Sequence, residues 1–310
     1  MTLLKVFLSP LITERALQVF EERGIRTVTD FLGRDLEELS QENALPLSFK
    51  DLVAMKRHML VKLSSSVKNG RDLLQCGDSG IVYLSTGIKR LDELLNGGVY
   101  IGEVTEICGG IAVGKTQICL SCLCTTAVKQ ANVIYIDTSC SFSSTRVLEL
   151  IGQQNQSEEE ILNRVKHCAC SDVFEIFQVI EEIRSCLDKK SGVFYSNIKL
   201  VIVDCIASVI YPILGGNQID GHSLMVQISQ KLKILAVDYS VAVLVTNNVV
   251  SGEDGKWLPS LGRTWSHVPH TRIILSSENH QPDQRKAALV KSSRSSAPSN
   301  IKFYLPQGIT

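Results

Sequence analysis

The octapeptide GGIAVGKT, residues 109–116, restricts what this chain can fold into more than any other stretch. Gly109, Gly114, Lys115 and Thr116 match the spacing G-x-x-x-x-G-K-[ST]. The spacing carries chemistry only where a strand ends and a helix begins, because backbone N–H groups of the loop and of the helix N-terminus must converge on phosphate oxygens. Both flanks fit. EVTEIC (103–108) reads as a strand and TQICLSCLCTTAVKQ (116–130) as a helix. Gly109, Gly110, Ile111, Ala112, Val113, Gly114, Lys115, Thr116 and Gln117 are therefore the candidate phosphate-binding residues. In such a loop Lys115 reaches the β- and γ-phosphates and the Thr116 hydroxyl ligates Mg²⁺. A chance glycine loop would need both flanks to be coincidence.

The surrounding sequence repeats a strand-then-helix rhythm. Short β-branched runs occur at NVIYID (132–137), KLVIVD (199–204), VAVLVTN (241–247), TRIILS (271–276), KAALVKS (286–292) and IKFYL (301–305). EEEILNRVKHC (158–168) and SDVFEIFQVIEEIRSCLDKK (171–190) read as helices between them. Continuous apolar strands interleaved with helices predict an α/β fold, a mostly parallel twisted sheet covered on both faces. Asp204 closes KLVIVD and is the candidate second Mg²⁺ group, since ligands of open sheets gather at the carboxyl ends of strands. Alone it would also read as a turn-favouring Asp at a strand end.

Composition sets the boundaries. The 32 basic and 32 acidic residues cancel, which argues against a polybasic nucleic-acid binder while leaving room for a local basic loop. No apolar stretch is long enough to span a membrane, so no membrane partner is expected. The opening apolar run breaks at Pro10, so no signal peptide is expected and the ten cysteines read as reduced thiols of the cytosol or nucleus. Cys119, Cys122 and Cys124 fall on the helix after the glycine loop, where small buried thiols are a plainer reading than a zinc site. Residues 1–63 look helical, with Thr13 as an N-cap, Gly24 as a stop and Ser48 as a second cap. Residues 64–82 are polar and glycine-containing and read as a linker, leaving 83–310 as the core.

Several segments then converge on one family. LSTGIKRLDELLNGGVYIGEVTEICGG leads into the phosphate loop, followed by YIDTSCSFSSTRVLEL, LVIVD and VLVTNN. This order resembles the RecA recombinase family over nearly the whole chain, and the helical segment in front resembles the small domain of its eukaryotic and archaeal members. GEVTEICGG, GKTQICL and LGRTWSHVP resemble a paralogue of the eukaryotic recombinase rather than the recombinase itself. The resemblance implies a RecA-like ATPase core with an ATP and Mg²⁺ site on the loop residues above, with Thr116 and Asp204 at the metal. It places an adenine-side arginine at Arg146 and a γ-phosphate-sensing amide at Asn248, where strand-exchange members usually have Gln. It puts two DNA-facing loops at about 211–222 and 249–266, and a histidine linking the second loop to the nucleotide at His267.

One departure is chemical. Active members carry a glutamate that positions the attacking water, and here that place is Ser139. A serine cannot act as a carboxylate base, so nucleotide binding is better supported than rapid hydrolysis. Asp137 lies two residues earlier and is a possible but distant substitute. In the second loop Lys256, Arg263, Trp265 and His267 are the candidate DNA contacts. Aromatic and basic residues together suit single-stranded DNA, although the same residue types anchor protein interfaces. Arg285, Lys286, Lys291 and Arg294 add positive charge, for which a solvated face is the plainer reading. The expectation is a nuclear ATP-binding recombination-repair subunit, a weak DNA-stimulated ATPase at most. It would join other recombinase paralogues in a heteromeric complex on single-stranded or branched DNA. The competing readings are a self-assembling, fully active strand-exchange ATPase and a scaffold with a vestigial nucleotide site.

Overall fold

A computed structural model of the chain describes residues 4, 8–41, 46–63, 69–71, 83–152, 156–189, 192–214, 218–252, 257–278 and 281–307. It divides into two compact units, Met1–Ser79 and Gly80–Thr310.

The first unit contains helices α1 (Glu14–Glu22), α2 (Val28–Leu32), α3 (Leu36–Ser40) and α4 (Phe49–Leu63). Each begins where a side chain accepts an N–H that the first helical turn leaves unpaired. Thr13 accepts from Ala16, Thr27 and Asp30 form a reciprocal capping box, Asp35 accepts from Glu37, and Ser48 pairs reciprocally with Asp51. Gly24 follows α1 at φ +72°, a conformation that halts the helix at little steric cost to glycine. The apolar stripes of these helices meet in a core that includes Ala16, Phe20, Phe31, Leu52, Met55 and Met59, with Phe20 and Phe31 edge to face at 5.5 Å.

The second unit holds β1 (Tyr83–Leu84), α5 (Lys89–Leu94), β2 (Val99–Tyr100), β3 (Val104–Gly109), α6 (Lys115–Val128), β4 (Asn132–Asp137), α7 (Ser144–Ile151), α8 (Glu158–Leu162), β5 (Val165–Ala169), α9 (Val173–Asp188) and α10 (Val193–Ser196). It continues with β6 (Ile198–Asp204), α11 (Ile206–Leu214), α12 (Gln218–Tyr239), β7 (Ala242–Asn247), β8 (Val249–Ser251), β9 (Trp257–Pro259), α13 (Gly262–Trp265), β10 (Thr271–Glu278), β11 (Gln281–Lys291) and β12 (Ser299–Tyr304). Eight strands make one sheet in the order β12-β11-β10-β3-β7-β6-β4-β5. The run from β10 to β5 is parallel, and β11 and β12 add an antiparallel end. Every strand expected from the sequence is present. One expected helix is cut short: VKHCA, read as its tail, leaves α8 at Leu162 and forms edge strand β5 beside β4. Five residues beyond a one-turn helix carry no distinct period, so pairing with β4 decides their state.

Alternation along the strands decides what faces what. Val133 and Tyr135, Leu200 and Ile202, and Ala242 and Leu244 belong to the core beneath α6 and α7. Ile134 and Ile136, Val201 and Val203, and Val243 and Val245 belong to the opposite core, beneath α9, α11 and α12. With a period of two, Asp137, Asp204 and Thr246 at the strand ends fall on the α6 face. Glu106 and Asn247 fall on the other.

Candidate nucleotide-binding site

The phosphate loop joins β3 to α6 at the carboxyl edge of the sheet. Gly114 is the N-cap of α6 at φ +99°, and no side chain caps the helix. The first N–H groups of α6 therefore have no side-chain acceptor, as an anion site at a helix N-terminus requires. The positive φ is what favours glycine at Gly114, and a Cβ there would in addition require the Leu305 side chain, 2.5 Å away at Cδ2, to shift. The Lys115 ammonium donates to the carbonyl oxygens of Gly109 and Gly110, 2.8 Å each, which holds it inside the loop. Residues 112–117 and Leu305 line a cleft of about 260 Å³. Ile111, within the loop, is 96% exposed.

Asp204 lies beside the first turn of α6, with 2% of its surface exposed. The Thr116 hydroxyl donates to Asp204 Oδ2 at 2.7 Å, the Tyr135 hydroxyl to the same oxygen at 2.8 Å, and the Thr246 hydroxyl to Oδ1 at 2.5 Å. Burial pushes the Tyr135 phenol far above its ordinary range, with Cys119 and Asp204 acting in the same direction, so it remains a donor. A carboxylate and a hydroxyl form a hard, all-oxygen pair, the type that Mg²⁺ prefers. Among the described residues no cluster of three or more His, Cys, Asp or Glu side chains could hold a metal by itself. The pair therefore fits Mg²⁺ held jointly with phosphate and water oxygens, the usual arrangement for this cation.

Ser139 stands exposed in the loop after β4, its hydroxyl donating to Ser141 at 3.1 Å. Asp137 is committed to the loop that follows its strand. Its carboxylate accepts the N–H groups of Ser139 at 3.0 Å, Ser141 at 3.2 Å and Phe142 at 2.9 Å, and lies 3.4 Å from His167 Nε2. Burial raises its pKa, but the three backbone donors and His167 outweigh it and hold the carboxyl below its ordinary value. Asp137 is the brace of the Ser139 loop.

On the far side of the cleft Arg146, in the first turn of α7, donates to Gln117 Oε1 and to the Pro306 carbonyl, 3.0 Å each, and pairs with Glu149 at 2.8 Å. The structure thus brings Arg146 and Gln117 together. Arg285, counted with the charge near the second loop, donates instead to the Val113 carbonyl at 3.1 Å, beside the phosphate loop. Asn248 is exposed just beyond β7, its carbonyl accepting from Ser260 N.

The second loop departs most from expectation. Trp265 is fully buried, and its indole N–H donates to Glu106 Oε1 at 2.7 Å. It cannot stack on a base, because the whole ring is in the core beneath α12. Glu106 also accepts from Asn247 at 2.8 Å and pairs with Arg272, so the exit of the loop is fastened to the strand that carries the phosphate loop. Lys291 donates to the Ser266 carbonyl and Lys233 to the His267 carbonyl, 3.0 Å each. Arg294 pairs with Glu103 at 2.8 Å and covers the Tyr100 ring. The charge read as a solvated face is therefore partly structural. Arg263 and His267 are exposed, Trp257 is 58% exposed on the β8–β9 hairpin, and Lys256 lies outside the described residues. The first loop is shorter than 211–222, since Tyr211 to Leu214 belong to α11 and residues 218–222 to α12. Residues 215–217 between them lie outside the described residues.

Sequence reasoning did not single out Tyr135, Thr246 or Glu106. The available signal was a polar group inside an otherwise aliphatic strand, at a position whose parity gives its face.

Two sequence profiles match. One, described as Rad51, covers residues 78–308, and one, described as RAD51D, N-terminal domain, covers residues 1–62. The chain is 41% identical over 282 residues to "DNA repair protein RAD51 homolog 4" of Bos taurus, covering 89% of this chain and 86% of that protein. It is 39% identical over 303 residues to the protein of the same name in Mus musculus, covering 95% and 92%. It is 30% identical over 243 residues to "DNA repair protein RAD51 homolog 2" of Homo sapiens, covering 64% and 61%.

Proposed function

The chain belongs to the Rad51 family, and from that premise we propose that it is an ATP-binding subunit of recombinational DNA repair. It works in the nucleus with other Rad51-type paralogues, in a heteromeric complex on single-stranded or branched DNA that supports the main recombinase filament. The observation that carries the nucleotide reading is the complete phosphate loop with Thr116 hydrogen-bonded to the buried Asp204. The names of the relatives, each a DNA repair protein, support the repair reading. A vestigial site would have no need to keep these groups together.

In this reading Lys115 and the N-terminus of α6 bind the phosphates, and Arg146 with Gln117 borders the base side of the cleft. Thr116 and Asp204 hold Mg²⁺, which when bound neutralises charge on the phosphate oxygens. Neither of the two side chains at the place of a water-orienting base suits that task. Ser139 has no carboxylate and Asp137 is committed to three backbone donors. General-base assistance contributes about 10²–10⁴-fold, so the isolated chain hydrolyses ATP slowly and a partner subunit supplies what is missing. Arg263, Trp257 and Lys256 carry the DNA contact of the second loop. Residues 64–82 join the helical unit to the core.

The experiment compares ATP binding and hydrolysis by the isolated chain, by its Ser139→Glu variant and by the chain with its co-purifying paralogues. Expected are binding with slow turnover alone, faster turnover in the complex, and a gain with Ser139→Glu. An isolated parent that binds no ATP, or turns it over as fast as an active recombinase, would overturn the reading.

A further inference from the structure

Three hydroxyls converge on one carboxylate at Asp204, and only Thr116 belongs to the phosphate loop. We propose that the other two, Tyr135 and Thr246, are positioning residues of the metal site, setting the orientation in which Asp204 meets Mg²⁺. This rests on the nucleotide reading above.

The argument begins with the strands. Tyr135 is on β4, Asp204 ends β6 and Thr246 is on β7, and β4 and β7 are the two neighbours of β6 in the sheet. Asp204 is thus held from both sides by strands paired with its own. The alternation that sends Ile202 and Leu244 under α6 sends Asp204 and Thr246 there too. Tyr135 accompanies them and reaches forward along the strands to Asp204 Oδ2, while Thr246 takes Oδ1. With one buried donor on each oxygen, the carboxylate cannot turn about its Cβ–Cγ bond without breaking a hydrogen bond, a costly loss for a group only 2% exposed.

Packing alone does not call for either hydroxyl. The Tyr135 ring sits 5.1 Å from Phe142 and 6.5 Å from His167, an aromatic layer that a phenylalanine would complete equally well. Thr246 is fully buried in a strand whose preceding residues are Val243, Leu244 and Val245, where valine has the same shape. A buried hydroxyl is unfavourable unless it is bonded, and for both residues the bond made is to Asp204. Tyr135 also gives the carboxylate a mechanical link to the Ser139 loop, through the ring contact to Phe142, whose N–H is held by Asp137.

The test uses Tyr135→Phe, Thr246→Val, the double variant and Thr246→Ser in the full-length chain, each checked for cooperative unfolding. ATP affinity is measured by calorimetric titration over a series of Mg²⁺ concentrations and in excess EDTA. Groups that orient a ligating carboxylate typically contribute about 10–100-fold in metal affinity. Expected is a rise of about 10-fold in the Mg²⁺ concentration that half-restores tight ATP binding for each of the two substitutions, with more for the double. Affinity in EDTA should stay at the parental level, and Thr246→Ser should restore the parental midpoint. Parental midpoints in folded Tyr135→Phe and Thr246→Val proteins would overturn the proposal, and so would equal losses with and without Mg²⁺. A parent whose ATP binding ignores Mg²⁺ would instead remove the magnesium reading on which it rests.

Discussion

The carboxylate of Asp137 takes three N–H groups of the loop after β4, and its pKa lies below the ordinary 3.8. A carboxyl depressed in the folded state adds stability that is fully present above its unfolded pKa and is lost as pH falls through the folded value. Asp137→Asn should therefore cost about 1–3 kcal/mol at neutral pH, because the amide cannot satisfy all three donors. The gap to the parent should narrow as pH falls below about 4. Urea unfolding at a series of pH values checks this, and a gap that stays constant into acid would exclude the depressed carboxyl. Trp265 makes a second residue-scale claim. Trp265→Ala should destabilise by about 3–5 kcal/mol, since it leaves a cavity in the core and removes a donor from Glu106. Trp257→Ala, on the exposed hairpin, should stay within about 0.5 kcal/mol of the parent. Denaturation midpoints of the two variants decide whether one tryptophan is core and the other surface.

At the scale of the element, α6 shows how one helix serves two ends. Its first turn presents Lys115, Thr116 and uncapped N–H groups to the cleft, while the rest of it is buried almost all round. Small residues let it lie between the sheet and α7, and Cys119, Cys122 and Cys124 supply part of that packing, all with 0% exposure. Burial pushes each thiol upward, Cys124 to about 12, so none is a reactive thiolate at neutral pH. Brief alkylation of the native protein should mark Cys140, which is exposed in the Ser139 loop, and leave the three helical thiols unmodified until the chain is denatured. Peptide mass mapping reads this directly, and early labelling of Cys122 would mean that α6 opens far more readily than its burial implies.

For the whole molecule the division falls between Met1–Ser79 and Gly80–Thr310, and among the described residues one buried cluster belongs to the first unit and two to the second. The first unit closes on its own helices and the second on the two faces of one sheet. Brief digestion of the full chain should cut first between residues 64 and 82, where the composition is polar and glycine-containing, and the larger fragment should keep ATP binding. First cuts inside residues 104–247 would argue against a core that folds around the sheet.

Short-range rules account for the features that could be read along the chain alone. The phosphate loop from Gly109 to Thr116, the strand ending in Asp204, and the caps at Thr13 and Ser48 were all legible. Each depends on residues within a few positions of one another, and the strand parity was available in the same way. The tertiary structure decided whatever depends on distant partners. Trp265 looked like a DNA contact because a basic, aromatic loop has the same composition whether its ring faces water or a buried Glu106. VKHCA became a strand because β4 had an open edge. Tyr135 and Thr246 became partners of Asp204 because sheet order β7-β6-β4 brings together strands far apart along the chain. Hydrogen bonds and burial between segments 42 to 159 residues apart leave no local signature, so composition and period could not supply them.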